Sequence, residues 1–352
     1  MAPEPYKVLA RKYRSATFDD VIGQDHVAQT LKKSIATGRI AHAFLFCGTR
    51  GTGKTSMARI LAKSLNCLTA DGPTVTPCLK CASCKAIDTG EDVDVLEIDA
   101  ASNTQVDKTR EVILDTAQYH AFHGRFKIYI IDEVHMLSKQ SFNALLKTLE
   151  EPPSHVKFIL ATTEPEKILP TILSRCQRYD FRNIPTRQIA AHLADICKQE
   201  KIKADEDALL LVARAGAGSM RDAISFLERM LSAGDTHLTA QTVEQLLGLP
   251  RAQQIFDLVQ AIADGRVKET LGGAGNLTSA GLSLDALVGA LIDHLRDLLV
   301  VGACGADSDL LEGSTFDADA LVAQAKCFDP AALSQNIVVL EEVRRQMKTS
   351  LA

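Results

Sequence analysis

Gly48-Thr-Arg-Gly-Thr-Gly-Lys54-Thr55 fits the pattern G-x-x-x-x-G-K-[ST], a loop that grips polyphosphates. The apolar run Ala43–Cys47 leads into it and the helix-like Ser56–Lys63 follows, the strand–loop–helix context the pattern needs. Gly48, Gly51 and Gly53 remove side chains, so backbone N–H groups can close around phosphate oxygens. A helix starting near Lys54 aims its positive dipole end at the same anion. Lys54 is expected to reach the β- and γ-phosphates and the Thr55 hydroxyl to hold Mg²⁺. Thr49, Arg50, Thr52 and Ser56 complete the expected phosphate-binding set. A glycine-rich turn without a ligand is the alternative, and the flanking strand and helix argue against it.

Lys127–Ile131 is a continuous apolar run that ends in Asp132 and Glu133. Such a run suits a central parallel strand covered on both faces. Ligands in such sheets sit beyond the carboxyl ends of the strands, where these acids fall. Asp132 suits contact with Mg²⁺, and Glu133 suits orienting or deprotonating an attacking water. An acidic pair on a solvated strand end is the plainer reading of these two residues alone. Phe158–Thr163 ends another strand in hydroxyls, and Thr163 is expected either to sense the γ-phosphate or to cap the next helix. Arg175 closes a helix-like stretch, where a surface charge is ordinary. Ser219 reads as an N-cap that puts Arg221 in the first helical turn, near a positive helix end. A nearby anion or a surface salt bridge would account for it.

Cys78, Cys81 and Cys84 give C-x₂-C-x₂-C, with Cys67 just upstream across a turn-rich segment. Four closely spaced thiolates suit a closed tetrahedral zinc site. An iron–sulfur cluster is the rival, but the ferredoxin run continues with a further Cys and Pro, whereas Lys85 and Ala86 follow here. The site falls in an insertion between the first two strands, so a structural role is expected. Cys47, Cys176, Cys197, Cys304 and Cys327 have no partners in the sequence and are expected to be small buried residues.

These groups need a scaffold, and the 352 residues allow two or three domains. Apolar residues make up 46% of the chain, enough for a core in each. Aromatics are sparse, Trp is absent and the net charge is −5, which argues against a uniformly basic nucleic-acid binder or base-stacking platforms. The N-terminus lacks the apolar segment of a secretory signal, and no stretch approaches the roughly 18 apolar residues of a membrane span. A cytoplasmic location is expected, with cysteines serving as metal ligands and buried thiols rather than disulfides. Strand-like runs at Ala43–Cys47, Val93–Ile98, Lys127–Ile131 and Val156–Ala161 alternate with helical segments, which predicts a parallel α/β sheet. Arg178–Phe181 adds a fifth run, and beyond Arg182 the strand signal stops. Ala190–Glu200, Glu206–Ala215, Ser219–Leu231 and Val243–Leu247 then read as short helices. After Gly248 helical periodicity covers Ile255–Ile262, Leu282–Val301 and Leu333–Met347. Leu284, Leu287, Leu291, Leu295, Leu298 and Leu299 fall mainly on one face, fitting either a bundle core or an oligomer surface.

Together these residues closely resemble one family, the gamma or tau ATPase subunits of the bacterial DNA polymerase III clamp loader. The resemblance rests on Val8–Arg14, Ile22–Asp25, Gly48–Thr55, the four cysteines, Glu97–Ser102, Ile131–Met136, Ser141–Pro153, Ser174–Cys176 and Gly218–Asp222. It implies an AAA+ α/β P-loop domain with a parallel sheet over residues 1–182, carrying the zinc insertion at about 67–84. A small helical lid at 183–247 and an all-α collar at 248–352 would follow. It further implies ATP, Mg²⁺ and Zn²⁺ as cofactors. The implied partners are copies of the chain and related subunits in a five-membered ring, a sliding clamp and primer–template DNA. ATP binding would open the clamp and hydrolysis would release it on DNA. By motif match Thr163 takes the sensor-one role, Arg221 the sensor-two role and Arg175 the arginine finger acting on a neighbour's ATP. Ala10, Arg14, Val21 and Ile22 would border the adenine.

Asn103 and Gln105 stand where some relatives carry basic residues, leaving only Lys108 and Arg110 basic there, which argues against a strong DNA contact. The chain ends about where one more collar helix is expected, so a fragment lacking that helix and a polymerase- or helicase-binding tail is the expectation. Two other readings are a non-hydrolysing organiser of the ring and a branch-migration helicase. The intact Lys54, Thr55, Asp132, Glu133 and Arg221 disfavour the first. The cysteine insertion and the Ser174-Arg-Cys triplet disfavour the second.

Overall fold

Strands buried on both faces need apolar residues in both registers, and this sequence supplies them. The computed structural model describes residues 8–101, 116–232, 237–305, 308, 311, 316 and 318–350. Asn103, Gln105, Lys108 and Arg110 lie outside the described residues. Helices α1 (Leu9–Lys12) and α2 (Asp25–Ala36) precede β1 (Ala43–Cys47), and α3 (Lys54–Asn66) and α4 (Ala82–Thr89) follow it. Then come β2 (Val95–Asp99), β3 (Lys127–Asp132), α5 (Lys139–Glu150), β4 (Val156–Thr162), α6 (Pro170–Leu173) and β5 (Gln177–Asp180). All five strands are parallel, in the order β2-β3-β4-β1-β5.

Alternation along the strands divides the core. Phe44 and Phe46 of β1, Ile128 and Ile130 of β3 and Ile159 of β4 pack with Met57, Ile60, Leu61 and Leu65 of α3. Their neighbours Leu45, Tyr129, Ile131, Phe158 and Leu160 pack on the other face with Phe142, Leu145 and Leu149 of α5 and Ile172 of α6. Each such buried side chain contributes about 1.5–3 kcal/mol relative to exposure. β1 lies between β4 and β5, so the loop after it opens at the point where strand order reverses, the usual ligand crevice of such sheets. The turn entering β3 is fixed by Asp94, whose buried carboxylate accepts the N–H groups of Phe122, His123 and Gly124 at 2.6, 2.7 and 2.7 Å.

The sheet and these helices form one compact unit that runs to Gln188 and also takes in Ala217–Ile224. A second unit comprises Ile189–Gly216 and Ser225–Ala352. After β5 come α7 (Thr186–Gln199), whose first residues belong to the first unit, α8 (Glu206–Ala215), α9 (Met220–Leu231), whose residues to Ile224 also belong to the first unit, α10 (Ala240–Leu247) and α11 (Ala252–Ala263). The chain continues with α12 (Val267–Ser279), α13 (Leu284–Cys304), α14 (Ala318–Ala325) and α15 (Pro330–Ser350). In the second unit Leu287, Leu295 and Leu298 of α13 are buried against Leu258, Val259, Leu277, Leu321 and Leu333, while Leu291 and Leu299 are partly buried beside them. The leucine face of this helix is thus core within the chain, except Leu284, which is exposed. Apolar surface remains on α15 at Val338, Val339 and Val343.

The structure corrects two expectations and adds two helices that were not expected. Strands do not stop at β5, because Lys203–Ala204 (β6) and His237–Leu238 (β7) form a small parallel pair of their own. Two-residue strands carry no periodicity to read. Helix α4 was hidden by the cysteine spacing, and α12 by Gly272, Gly273 and Gly275, which lower helix propensity by about 1 kcal/mol each. Cys304 and Cys327 are exposed rather than buried, each sitting at or just past the end of a helix. Cys47 and Cys197 are buried as expected, and Cys176 is intermediate.

Candidate functional site

The phosphate-loop residues meet the acids of β3 and the hydroxyls of β4 because all three strands end on the same side of the sheet. Gly48, Gly51 and Gly53 have φ of 150°, 76° and 101°, the left-handed region that favours glycine. At Gly51 a Cβ would overlap Ser219 Oγ, and at Gly48 it would come within 2.6 Å of Phe181 O, so space as well as backbone requires glycine there. Lys54 is 5% exposed, and its Nζ donates to Gly48 O and Thr49 O at 2.7 and 2.8 Å. Burial pushes its ammonium pKa down against the pull of Glu133 and Asp132. Thr52 Oγ1 donates to Thr49 O at 2.9 Å, which closes the loop on itself. Arg50 is exposed and Ser56 half-buried.

Thr55 Oγ1 donates to Asp132 Oδ2 at 2.6 Å. One hydroxyl and one carboxylate thus converge from the two elements expected to share Mg²⁺, an all-oxygen donor pair that suits a hard cation. Glu133 has φ of 48°, an uncommon backbone for a residue with a side chain. Its Oε2 accepts from Thr163 N at 3.2 Å and from Thr163 Oγ1 at 2.9 Å. Thr163 sits one residue past β4. His135, in the turn Val134–Met136, lies beside this pair. Its Nδ1 is 2.9 Å from Thr162 Oγ1 and 3.4 Å from Glu133 Oε2, and its Nε2 is 3.0 Å from Glu164 Oε1. Lys167 Nζ, 2.6 Å from Glu164 Oε2, holds that carboxyl below its usual range. His135 falls within the Ile131–Met136 match, which by itself assigns it no role. Its only signal in the sequence is its place three residues beyond Asp132.

The remaining candidates divide into those at the loop and those away from it. Arg221 N donates to Gly51 O at 3.4 Å, and Ser219 Oγ accepts from Asp222 N, the N-cap expected for α9. Val21 is buried, with its Cγ1 3.9 Å from where a Cβ would stand on Gly53. Ile22, Ala10 and Arg14 are half-buried. Burial lowers the Arg14 guanidinium pKa, with Arg59 and Arg221 lowering it further and Glu97 and Asp88 opposing. Thr49 Oγ1 donates to Asn183 Oδ1 at 2.6 Å, a tie from the loop to the segment after β5 that the sequence did not reveal. Arg175 is not brought to the loop. Its Nη2 donates to Glu150 Oε1 at 2.9 Å and its Nη1 to Thr171 O at 2.7 Å.

Cys67, Cys78, Cys81 and Cys84 come together as a second centre, with all four Sγ atoms within 4.8 Å of one another. A tetrahedral Zn–S₄ unit needs sulfurs about 3.8 Å apart, so this set fits zinc after a small contraction. Backbone N–H groups of Cys78, Lys80, Cys81 and Cys84 point at the sulfurs over 3.3–3.4 Å. Hydrogen bonds from the Thr69 hydroxyl and the Lys80 and Cys81 N–H groups pull the Cys78 thiol down to about 5. Burial and the neighbouring Cys81 push the Cys84 thiol up. Cys81 caps α4 by accepting from Cys84 N, so the knuckle and the helix start are one structure.

Three family models match in succession along the chain. Residues 23–185 match the DNA polymerase III delta subunit, 188–236 the ATPase lid domain of a DNA polymerase III clamp loader subunit, and 238–337 domain III of DNA polymerase III subunits gamma and tau. The tau subunit of Escherichia coli K12 DNA polymerase III is 47% identical over 296 residues, 84% of this chain and 46% of that one. The gamma subunit from Buchnera aphidicola of Acyrthosiphon pisum is 45% identical over 293 residues, 83% of this chain and 80% of that one. The chain spans about half the length of the tau relatives it matches. Among solved structures the RuvB Holliday junction branch migration motor of Thermotoga maritima superposes with a TM-score of 0.50 over 78% of this chain and 90% of that one. At 14% identity that likeness concerns the fold alone. No helix among the described residues is long and apolar enough to cross a membrane.

Proposed function

This chain belongs to the family of gamma and tau subunits of DNA polymerase III, and on that premise we propose that it hydrolyses ATP to drive loading of a sliding clamp onto primer–template DNA. The observation that carries the reading is the convergence of Lys54, the Thr55–Asp132 pair at 2.6 Å and the Glu133–Thr163 pair at 2.9 Å at one end of the sheet. A ring organiser that only bound its neighbours would have no use for the complete set.

In this reading the loop N–H groups and the start of α3 bind the β- and γ-phosphates. Lys54 exchanges its two loop carbonyls for phosphate oxygens, which repay its buried charge better than neutral carbonyls do. Thr55 and Asp132 are the residues that would hold Mg²⁺, which supplies charge neutralisation on the phosphates. Glu133 orients a water in line with the γ-phosphorus and takes its proton, as the bond from that phosphorus to the bridging oxygen breaks and ADP leaves. Thr163 contacts the γ-phosphate, Arg221 reaches the nucleotide from α9, and Arg175 acts on the ATP of a neighbouring subunit. Ala10, Arg14, Val21 and Ile22 border the adenine. The four cysteines hold one structural zinc ion. The division at 1–182, 183–247 and 248–352 gives a nucleotide domain, a lid and a collar, working in the cytoplasm in a five-membered ring with related subunits.

Equilibrium binding of labelled ATP alongside turnover tests this reading. Lys54→Ala should lose ATP binding while keeping its fold. Glu133→Gln should bind ATP normally and hydrolyse it at least roughly 100-fold more slowly, the usual scale of a general base. Full turnover in Glu133→Gln would remove Glu133 as the base, and no turnover by the unmodified chain with clamp and primed DNA would remove the hydrolytic reading.

A further inference from the structure

Resting on the hydrolytic reading, we propose that His135, braced by Glu164, is the positioning residue that keeps Glu133 aligned once Thr163 has turned to the nucleotide. A threonine hydroxyl has one proton to donate. Here Thr163 Oγ1 is within donating distance of Glu133 Oε2, at 2.9 Å. It cannot give that proton to the γ-phosphate as well, so contact with phosphate costs Glu133 its shorter hydrogen bond. The remaining bond, from Thr163 N at 3.2 Å, leaves the carboxylate free to pivot. His135 Nδ1 lies 3.4 Å from the same oxygen.

The ring is well placed to take over. Its side chain is 5% exposed, and polar groups hold both nitrogens. Glu164, a pure acceptor when ionised, faces Nε2 at 3.0 Å and is itself tied by Lys167 at 2.6 Å, so the proposed role belongs to the doubly protonated ring, which donates Nε2–H to Glu164 and has Nδ1–H left for Glu133. Thr162 Oγ1 faces Nδ1 at 2.9 Å while accepting Glu164 N at 3.0 Å, so the hydroxyl too is fixed. The chain Lys167–Glu164–His135 runs from the segment after β4 to the end of β3. It spans the two strand ends between which the attacking water would stand.

The test compares His135→Leu, which keeps volume without polar atoms, with His135→Asn, whose side-chain amide places an N–H near the Nδ1 position. Glu164→Gln and Glu133→Gln accompany them, all in the full chain. ATP affinity and single-turnover hydrolysis at saturating ATP are read separately. His135→Leu should bind ATP within about twofold of the unmodified chain and hydrolyse it roughly 10- to 100-fold more slowly, the scale expected for a misaligned group. His135→Asn should recover most of that loss, and Glu164→Gln should fall between. Unchanged hydrolysis in His135→Leu, or no recovery with Asn, overturns the proposal, as does a loss of affinity matching the loss of rate. Glu133→Gln separates the two levels. If it abolishes hydrolysis while His135→Leu does not slow it, only the positioning role fails. If Glu133→Gln hydrolyses normally, Glu133 is not the group that activates the water and the positioning role falls with it, whereas absence of hydrolysis in the unmodified chain would overturn the hydrolytic reading itself. Should His135→Leu not fold, the Asn and Gln variants decide alone, a fall in rate at constant affinity in Glu164→Gln being the required result.

Discussion

Glu150 occupies the arginine proposed to serve a neighbouring site. The Arg175–Glu150 pair joins side chains that are 34% and 51% exposed. Exposed pairs of this kind contribute about 0–1 kcal/mol, so a phosphate on an adjacent subunit can readily displace the glutamate. Arg175→Ala should therefore leave the fold and the ATP affinity of the isolated chain unchanged. In the assembled ring it should lower hydrolysis by about 10³-fold or more, the range for arginine fingers. Mixing it with Lys54→Ala subunits should restore part of the rate, since some interfaces then carry both halves of a site. Wild-type hydrolysis by Arg175→Ala in the ring would make the residue a surface charge and nothing more.

At the scale of elements, the cysteine knuckle has little apolar material of its own. Cys67 follows α3 directly, and Cys81 and Cys84 bracket the start of α4, so one ion would tie the end of one helix to the beginning of the next. Arg125 supports the same turn by donating to Cys67 O at 2.9 Å and to Ala70 O. The phosphate loop lies at the other end of α3. Cys78→Ser should thus lose the metal and lower thermal stability while shifting ATP affinity by less than about threefold. Elemental analysis of freshly reduced protein is expected to find one zinc per chain. Iron in its place, or no metal at all, would remove the zinc assignment.

For the molecule as a whole, pH acts through histidines that lose hydration on folding. His294 in α13 is 2% exposed, with Nε2 2.5 Å from Gln324 Oε1 and Nδ1 buried without a hydrogen-bond partner. Burial holds its pKa below the ordinary value of 6.5, and His192 in α7 and His42 are shifted the same way. The unfolded chain therefore takes up protons on these histidines at a pH where the folded chain does not. Stability is full above about pH 6.5 and falls as pH drops below it, until the folded-state values are reached. Urea titrations at pH 7.5, 6.5 and 5.5 should show this decline, and His294→Gln should flatten it. A stability that is level or rises toward pH 5.5 would contradict the assignment.

Where chemistry is carried by neighbours in the chain, the sequence alone determined the outcome. Gly48–Thr55, the four cysteines and the apolar runs of β1, β3 and β4 were legible because a loop, a knuckle and a doubly buried strand are each specified by local residue types. Only the tertiary structure could supply the contacts that bridge distant segments: Gly51 against Ser219, Thr49 to Asn183, Arg175 to Glu150 and His135 between Glu133 and Glu164. None has a spacing to recognise, since each joins segments that only the packing of strands and helices makes neighbours. The same holds for the leucine face of α13, which one helix could have offered to a partner as well as to its own core. Exposure of Cys304 and Cys327 was likewise undetermined, because thiols tolerate water and interior alike and only the packing around them decides.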